Sequence, residues 1–333
     1  MKLGIIGTGT IVEEFLPQLS EMKQIEIKAL CATKRSYEKA EQMCKTYQIP
    51  ECFCDLEELL LSDIDTVYIA LPNHLHYETA MKVLQAKKNA IVEKPFASNL
   101  NEIERMIAAA RENNCFLFEA ITTIYLPNYK KIKQLLPSLG EIKLVSANFS
   151  QYSRRYEEFK RGEILPVFDP LKSGGAMMDL QSYNIWYLLG LFGMPKSIQY
   201  DANVEHGIDT SGMLTMSYST FQTSATAAKD CSAPARYLIQ GTKGYILQET
   251  TANVCGKVTV IYNNGEKLEF DDNKTTSRMY YEFLKFAAII EEKDYETMYQ
   301  LLELSKNVGK VQTKARMMAK IIFPADAKII QIE

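Results

Sequence analysis

Two glycines near the start of the chain, Gly7 and Gly9, have the type and spacing that bring a backbone close to a phosphate. An apolar run, Leu3–Ile6, precedes them, and a helical pattern follows. In such a strand, turn and helix the first glycine permits the turn, the second admits a pyrophosphate, and the helix start supplies unpaired N–H groups. Val12 stands where a third glycine is usual, so the alternative is a loop that only needs a positive φ.

The residues after the second apolar strand pattern, Ile25–Ala32, indicate which dinucleotide would bind. They are Thr33, Lys34, Arg35 and Ser36, which combine hydroxyl groups with two cations and include no carboxylate. NAD sites place Asp or Glu here on the ribose 2′-OH, whereas NADP sites need a hydroxyl and a cation for the 2′-phosphate. The segment therefore favours NADP, with NAD still open, and the alternative is a solvated basic loop.

Three side chains further along are suited to moving a proton. Lys94 follows Glu93 at the end of a predicted strand. Asp179 and Tyr183 are four residues apart and therefore share one face of a predicted helix. A lysine can hold a substrate hydroxyl and stabilise alkoxide character, and its ammonium would favour the phenolate of a tyrosine, whose ordinary pKa is ~10. The alternatives are an exposed surface lysine and a tyrosine that only packs in its helix.

The elements that must position these side chains follow from the hydrophobic pattern. Strand and helix patterns alternate from residue 1 to about residue 120, which predicts a doubly wound parallel sheet with functional groups at the carboxyl ends of its strands. The predicted strands are Leu3–Ile6, Ile25–Ala32, Asp65–Leu71, Asn89–Val92 and Cys115–Glu119. The predicted helices are Ile11–Met22, one through Tyr47 capped by Ser36, Leu56–Leu61, Tyr77–Ala86, and one from Asn99 or Asn101 to Asn113.

Beyond residue 120 the pattern changes and predicts a second α/β domain with a largely antiparallel sheet between Ser197 and Glu269. A strand, Glu141–Tyr152, and a polar, mobile loop, Arg154–Glu163, are expected before it. The helices predicted for this part are Pro127–Leu139, Ser173–Gly190, Ser277–Glu292 and Tyr295–Lys320. The predicted domains are residues 1–120, which bind NAD(P), and residues 121–333.

Composition excludes several classes of protein. A chain of 333 residues is long for one core, and its net charge of −3 argues against a nucleic-acid partner. Neither the N-terminal run nor the apolar stretch Ala176–Met194 reads as a secretion signal or a membrane span. Seven irregularly spaced cysteines fit reduced, cytoplasmic thiols. No metal is expected, although Cys52-x-Cys54 with His74-x-His76 is an alternative with unusual spacing.

Three separate motifs resemble the Gfo/Idh/MocA oxidoreductase family. They are GTGT at the N-terminal turn, the run from Ala70 to Ala97 that ends in EKPFA, and SGGAMMDLQSYNIW from Ser173 to Trp186. The likeness extends over nearly the whole chain. It implies an N-terminal Rossmann domain, a C-terminal substrate-binding domain, and a homodimer or homotetramer formed through the open C-terminal sheet.

The resemblance also implies site residues. Lys94 would contact the substrate oxygen and the nicotinamide ribose, and Tyr183, which replaces the histidine of much of the family, would transfer the proton as in the tyrosine-containing branch. Asp179 would position Lys94 or the substrate, and the peptide bond before Pro95 would be cis. Further cofactor contacts are expected from the backbone or side chains of Thr10, Ile11, Leu71, Asn73, His76 and Glu93. His76 has a structural alternative as a buried, hydrogen-bonded histidine.

This chain departs from the tyrosine-containing branch after the fifth predicted strand. Thr122 and Ile124 stand where the branch has tryptophan and arginine, and Arg154, Arg155 and Tyr156 are candidates to compensate. The sequence is therefore interpreted as an NADP-dependent dehydrogenase or reductase acting on a secondary alcohol or carbonyl of a sugar, polyol or cyclic diol. The alternatives are a non-catalytic NAD(P)-binding regulator or sensor and NAD-dependent glycoside cleavage, for which no residue gives a specific indication.

Overall fold

The computed structural model describes residues 1–274 and 277–327. Residues 275–276 and 328–333 of the predicted second domain lie outside the described residues. The chain divides into two units, one made of Met1–Ala120 and Met279–Lys306, the other of Ile121–Arg278 and the described residues from Asn307 onward. The first unit thus takes up a C-terminal stretch in addition to residues 1–120.

The first unit is built on a parallel sheet whose strand order is β3-β2-β1-β4-β5-β6. Its strands are β1 (Lys2–Ile6), β2 (Glu26–Cys31), β3 (Glu51–Phe53), β4 (Thr66–Ile69), β5 (Asn89–Glu93) and β6 (Leu117–Ala120). Its N-terminal helices are α1 (Thr10–Phe15), α2 (Tyr37–Tyr47), α3 (Leu56–Leu61), α4 (His76–Gln85) and α5 (Leu100–Glu112). This order is that of a doubly wound dinucleotide-binding sheet and confirms the predicted class.

The end of α1 and the cap of α2 differ from the prediction, and the choice of cap for α5 is settled. Helix α1 ends at Phe15 and continues as a 3₁₀ helix, Leu16–Glu21, because Pro17 lacks the N–H that an α-helix needs. Ser36 precedes α2 but its side chain does not cap it; its hydroxyl pairs with the Thr33 hydroxyl at 3.0 Å. The Asn99 side chain does cap α5, accepting from the Glu102 N–H at 3.0 Å.

Aromatic packing explains why the C-terminal stretch belongs to the first unit. Helix α9 spans Tyr280–Glu292 and helix α10 spans Tyr295–Met318. The Phe283 ring lies 4.1 Å from that of Phe15 and 5.0 Å from that of Tyr68 on β4, and Phe286 stacks on Phe118 of β6 at 4.6 Å. These rings bury a large apolar area against the sheet.

The second unit contains a mostly antiparallel sheet in the order β14-β13-β12-β11-β7-β10-β9-β8, in which β7 and β10 are parallel. Its strands are β7 (Ile142–Ser150), β8 (Ser197–Glu205), β9 (Ile208–Ser217), β10 (Gln222–Ala228), β11 (Arg236–Gly241), β12 (Gly244–Gln248), β13 (Val258–Tyr262) and β14 (Lys267–Phe270). The helices of this unit that precede β8 in the chain are α6 (Pro127–Leu135), α7 (Tyr156–Lys160) and α8 (Ala176–Phe192). The predicted antiparallel sheet is confirmed.

Helix α8 lies against this sheet and is buried along most of its length. The Gln181 amide donates to the Ala225 carbonyl and the Asn184 amide to the Thr226 carbonyl, both at 2.9 Å, so polar groups on its sheet-facing side are satisfied by β10. The predicted loop Arg154–Glu163 is wrong in part, because it contains α7. The Phe159 ring of α7 is buried on the Phe168 ring at 4.7 Å, which gives that turn an apolar anchor.

Among residues 1–274 and 277–327, no helix combines the length and the apolarity that a membrane crossing needs.

Candidate active site

A cavity of about 620 Å³ opens in the first unit at the carboxyl ends of β1, β2 and β4. This is where the strand order reverses, the position at which doubly wound sheets bind their ligands. Predicted cofactor residues that line it are Gly7, Gly9, Ile11, Thr33 and Leu71. The sequence-based placement of the glycine turn and of the β2 end therefore agrees with the cavity.

The two glycines of the turn are required for different reasons. Gly7 has φ +120°, and a Cβ there would collide with the Ala70 carbonyl at the end of β4. Gly9 has φ −76°, which any residue adopts, and a Cβ there would meet no protein atom within 4 Å. Contacts within the protein therefore account for the glycine at position 7, whereas the absence of a side chain at Gly9 leaves open space on the cavity wall. Val12, at the third position, is completely buried in the core.

The segment after β2 presents cations to solvent. Thr33 lines the cavity, and Lys34–Ser36 form one exposed to half-exposed 3₁₀ turn. Lys34 and Arg35 are exposed and do not line the cavity. Thr10, the first residue of α1, is likewise outside the lining. The segment contains no carboxylate that would repel a phosphate.

His76 has the buried, hydrogen-bonded environment that the sequence left open as its structural alternative. It is 0% exposed, and its Nδ1 and Nε2 lie 2.8 Å and 2.7 Å from the carbonyl oxygens of Pro95 and Leu71. Burial lowers its pKa, the two hydrogen bonds oppose that effect, and the Lys94 charge lowers it further. His76 therefore joins the end of β4 to the segment after β5, and its contact with a cofactor stays a prediction.

The end of β5 places Lys94 and Glu93 side by side. The Glu93 carboxylate accepts from the Tyr68 hydroxyl at 2.5 Å and from the Lys94 N–H at 3.2 Å. Lys94 is half-buried, and its peptide bond to Pro95 is cis, as the resemblance implied. Asn73 lies in the 3₁₀ turn Asn73–Leu75 after β4 and does not line the cavity.

In the second unit, Asp179 in the first turn of α8 pairs with Lys229, which immediately follows β10. Lys229 is only 4% exposed, and its backbone N–H donates to the Thr210 carbonyl at 2.8 Å. Sequence reasoning missed this partner. The available signal was its place directly after an apolar strand, next to Asp230.

Tyr183 lies one turn further along α8 and is 7% exposed. Its ring is 5.7 Å from that of Phe149, and Arg278 Nη1 donates to its hydroxyl at 3.3 Å. Arg278 was also missed, since the 95 residues that separate it from Tyr183 leave no local pattern. Tyr183 is therefore held by an aromatic ring on one side and has a cation at its hydroxyl.

The start of α8 is fixed by Asp209 of β9. Its Oδ2 accepts from the Met177 N–H at 2.6 Å and from the Tyr200 hydroxyl at 2.7 Å. A first-turn N–H has no partner within its own helix, so Asp209 supplies one from the sheet. Gly175, at φ +100°, is required because a Cβ there would collide with Asp209 Oδ1. Burial raises the Asp209 pKa to about 6, although both hydrogen bonds and the Arg316 charge oppose the shift.

Of the two positions that depart from the tyrosine-containing branch, Thr122 has a local explanation. Thr122 is buried and donates to the Asn253 carbonyl at 3.1 Å. Arg154 and Arg155 are exposed, and the neighbouring Tyr156 hydroxyl donates to Glu205 at 2.7 Å. The cation found at Tyr183 in this unit is therefore Arg278.

All seven cysteines are free thiols. Within the part of the chain that the structure describes, no group of three or more His, Cys, Asp or Glu side chains is arranged to hold a metal ion. His76, one member of the alternative metal motif, uses both ring nitrogens on carbonyls.

The strand order, the glycine turn and the cavity at the switch point define a dinucleotide-binding protein of the two-domain oxidoreductase class. Residues 1–121 match the model of an oxidoreductase family with an NAD-binding Rossmann fold, and residues 129–247 match a GFO/IDH/MocA C-terminal domain. The chain belongs to the Gfo/Idh/MocA oxidoreductase family. The predicted family, fold class and oxidoreductase activity are confirmed.

Two relatives and one solved structure illustrate the similarity. The chain is 34% identical over 330 residues to scyllo-inositol 2-dehydrogenase (NADP(+)) IolU of Bacillus subtilis, covering 98% of this chain and 99% of that protein. It is 28% identical over 285 residues to trans-1,2-dihydrobenzene-1,2-diol dehydrogenase of Xenopus tropicalis, covering 84% and 83%. The crystal structure of KijD10, a 3-ketoreductase of Actinomadura kijaniata in complex with NADP and TDP-benzene, has a TM-score of 0.81 at 20% identity, covering 97% and 99%, which supports the fold.

Proposed function

We propose that this protein is an NADP-dependent oxidoreductase that transfers a hydride between nicotinamide and a secondary alcohol or carbonyl of a polyol, sugar or cyclic diol. The observation that carries the proposal is the end-to-end similarity to the inositol dehydrogenase IolU, whose name gives both NADP and a cyclic polyol. The dihydrodiol dehydrogenase among the relatives acts, by its name, on a cyclic diol. Both names describe oxidation at a ring carbon that bears a hydroxyl.

The residues around the cavity fit a dinucleotide. The open space at Gly9 admits a pyrophosphate, which the backbone amides of Gly9, Thr10 and Ile11 would bind, while the Gly7 N–H donates to the Cys31 carbonyl at 2.9 Å and Gly7 serves the turn. We propose that Thr33, Lys34 and Arg35 recognise a 2′-phosphate, because the segment offers hydroxyl and cationic groups and no carboxylate. Leu71, Asn73, Glu93 and Lys94 would serve the nicotinamide half, with His76 holding the Leu71 and Pro95 carbonyls in place. The bound nicotinamide supplies the hydride acceptor or donor.

Each proposed catalytic side chain has a distinct task. Lys94 would hold the substrate oxygen and stabilise alkoxide character as the hydride leaves the carbon. Tyr183 would take the hydroxyl proton during oxidation and return it during reduction. Asp179, paired with Lys229, would orient the first turn of α8, so its carboxylate serves position and not proton transfer.

A fluorescence titration with NADPH and NADH tests the cofactor, and a panel of cyclic polyols, beginning with scyllo-inositol, tests the reaction. We expect NADPH to bind at least about tenfold more tightly than NADH, a difference of about 1.4 kcal/mol. Lys34→Ala combined with Arg35→Ala should remove that preference, whereas the exposed Lys82→Ala on α4 should not. Tight cofactor binding without oxidation or reduction of any panel member would instead favour the regulatory alternative.

We further propose that the protein works in the cytoplasm as a homodimer or homotetramer formed through the C-terminal sheet. Leu144 on β7 and Met213 on β9 are each 52% exposed, while their strand neighbours Val145 and Leu214 are buried on the opposite side. Seven free thiols suit a reducing compartment. Sedimentation analysis of the parent and of Leu144→Lys tests the assembly, which the charged variant should dissociate.

A further inference from the structure

We propose that Arg278 is a catalytic residue that stabilises the phenolate of Tyr183 during proton transfer. The inference rests on the proposed role of Tyr183 and adds a group that the sequence did not suggest. The observation is a direct hydrogen bond, in which Arg278 Nη1 donates to the Tyr183 hydroxyl at 3.3 Å. The guanidinium thus contacts the oxygen atom that would exchange the proton.

The surroundings make this contact effective. Tyr183 is 7% exposed and its ring lies beside that of Phe149, so little water screens its hydroxyl. A guanidinium keeps its positive charge at any pH the fold tolerates and exchanges no proton. An opposite charge at hydrogen-bond distance favours the ionised form of an acid. Arg278 therefore favours the phenolate without competing for the proton.

The balance of the step is simple. During oxidation the substrate O–H bond breaks and the proton joins the Tyr183 oxygen, while the C–H bond breaks and its electron pair leaves as hydride to oxidised nicotinamide. The alcohol is oxidised to a carbonyl, and the nicotinamide is reduced. The charge on Tyr183 changes from negative to neutral, and the positive charge of Arg278 stabilises the negative state.

The kinetic test is a double-mutant cycle with Arg278→Met and Tyr183→Phe, using scyllo-inositol as the probe. We expect Arg278→Met to lower kcat/KM at neutral pH by at least about tenfold and to move the pH optimum of oxidation upward. In the Tyr183→Phe background the same substitution should have almost no further effect, because both changes remove one function. Arg278→Lys keeps a cation and should retain more activity. Arg161→Met, an exposed arginine of the same unit, is the matched control.

A second measurement needs no turnover. The near-ultraviolet difference between the parent and Tyr183→Phe isolates the ionisation of this one phenol as pH is raised. The same difference is taken between Arg278→Met and the double variant Arg278→Met, Tyr183→Phe, and it should show the ionisation at a higher pH than in the parent. Thermal melting of each variant confirms that it is folded.

The outcomes separate the two proposals. Equal losses from Arg278→Met in both backgrounds, or an ionisation of Tyr183 that does not move, would overturn the role of Arg278. Absence of turnover in the parent would count against the proposed function, and the spectroscopic titration would still decide whether Arg278 acts on Tyr183.

Discussion

Polar side chains at the strand ends of the first unit and those on α8 of the second unit are held in different ways. In the first unit His76 bonds to two carbonyls, and Glu93 bonds to a backbone N–H and to a tyrosine hydroxyl. These partners lie at most 25 residues away along the chain. On α8, Asp179 and Tyr183 each meet a cation, Lys229 and Arg278, from 50 and 95 residues away. The first arrangement depends on the pairing of the neighbouring strands β4 and β5, whereas the second joins α8 to residues much further along the chain.

This contrast indicates how each region should respond to change. Groups bonded between two neighbouring strands need only that part of the sheet, so substitution there should affect chemistry more than stability. Removing one member of a buried charge pair that joins distant parts of the chain should affect stability more. The predictions that follow test this difference, from the largest expected effect to the smallest.

Lys94→Ala should abolish turnover and spare cofactor binding. The substitution removes the ammonium that follows β5 and is expected to lower kcat by about a thousandfold, the range of a lost proton-transfer or oxyanion-stabilising group. NADPH affinity, measured by fluorescence, should change by less than about threefold. Lys82→Ala, exposed on α4, serves as the control. Unchanged turnover in Lys94→Ala would remove the lysine from the mechanism.

Lys229→Met should destabilise the second unit by about 3 kcal/mol, because it removes the buried cation of the Lys229–Asp179 pair. Denaturant unfolding measures the change. Adding Asp179→Asn should recover part of the lost free energy, since it removes the carboxylate that Lys229 neutralises. Additive destabilisation in the double variant would show that the two residues do not act as a pair.

Asp209→Asn should change how stability depends on pH. The native carboxyl keeps its proton up to about pH 6, whereas the unfolded chain releases it near the ordinary value of 3.8. The native state therefore binds the extra proton between these values, and this group's contribution to stability falls as pH rises. The free energy of unfolding of the variant minus that of the parent should increase by about 3 kcal/mol across that range.

The control for this experiment is Asp201→Asn, an exposed aspartate on β8. Its difference from the parent should stay flat between pH 4 and pH 7 within about 0.5 kcal/mol. A flat profile for Asp209→Asn as well would mean that the buried carboxyl does not titrate in this range.

Gly9→Ala should have the smallest effect on folding. Its φ of −76° and the open space at its Cβ allow alanine, so the free energy of unfolding should change by less than about 0.5 kcal/mol. NADPH affinity should nevertheless fall by about tenfold, because the added methyl group occupies space that the pyrophosphate needs. Unaltered affinity would show that the dinucleotide does not approach the turn at this residue.

Much of the fold was predictable because its signals are local. Apolar runs followed by helical patterns gave the parallel sheet, and turn residues such as Asn263, Asn264 and Gly265 marked the antiparallel one. Leu56–Leu61 was predicted with its observed bounds. Pro17 was overlooked as the reason for ending α1, and the helix inside Arg154–Glu163 was missed because its anchor, Phe168, lies outside the segment.

The part of the site that local motifs specify was also predictable. The motifs gave Gly7, Gly9 and Thr33, which line the cavity, and the roles given to Lys94, Asp179 and Tyr183 stay predictions. The commitment of His76 to two carbonyls could not be read from its spacing, because Leu71 and Pro95 meet it only once β4 and β5 are paired.

The sequence by itself determined the alternation of elements, the glycine turn, the basic segment after β2, and the spacing of Asp179 and Tyr183 on one helical face. These features depend on residues within a turn or two of each other, so short-range sterics and hydrophobic periodicity specify them. Only the tertiary structure decided that Phe283 and Phe286 join the first unit, that Asp209 caps α8, and that Lys229 and Arg278 meet its functional side chains. These pairings join distant parts of the chain, and the burial of apolar surface that brings them together is a property of the whole fold and leaves no local pattern.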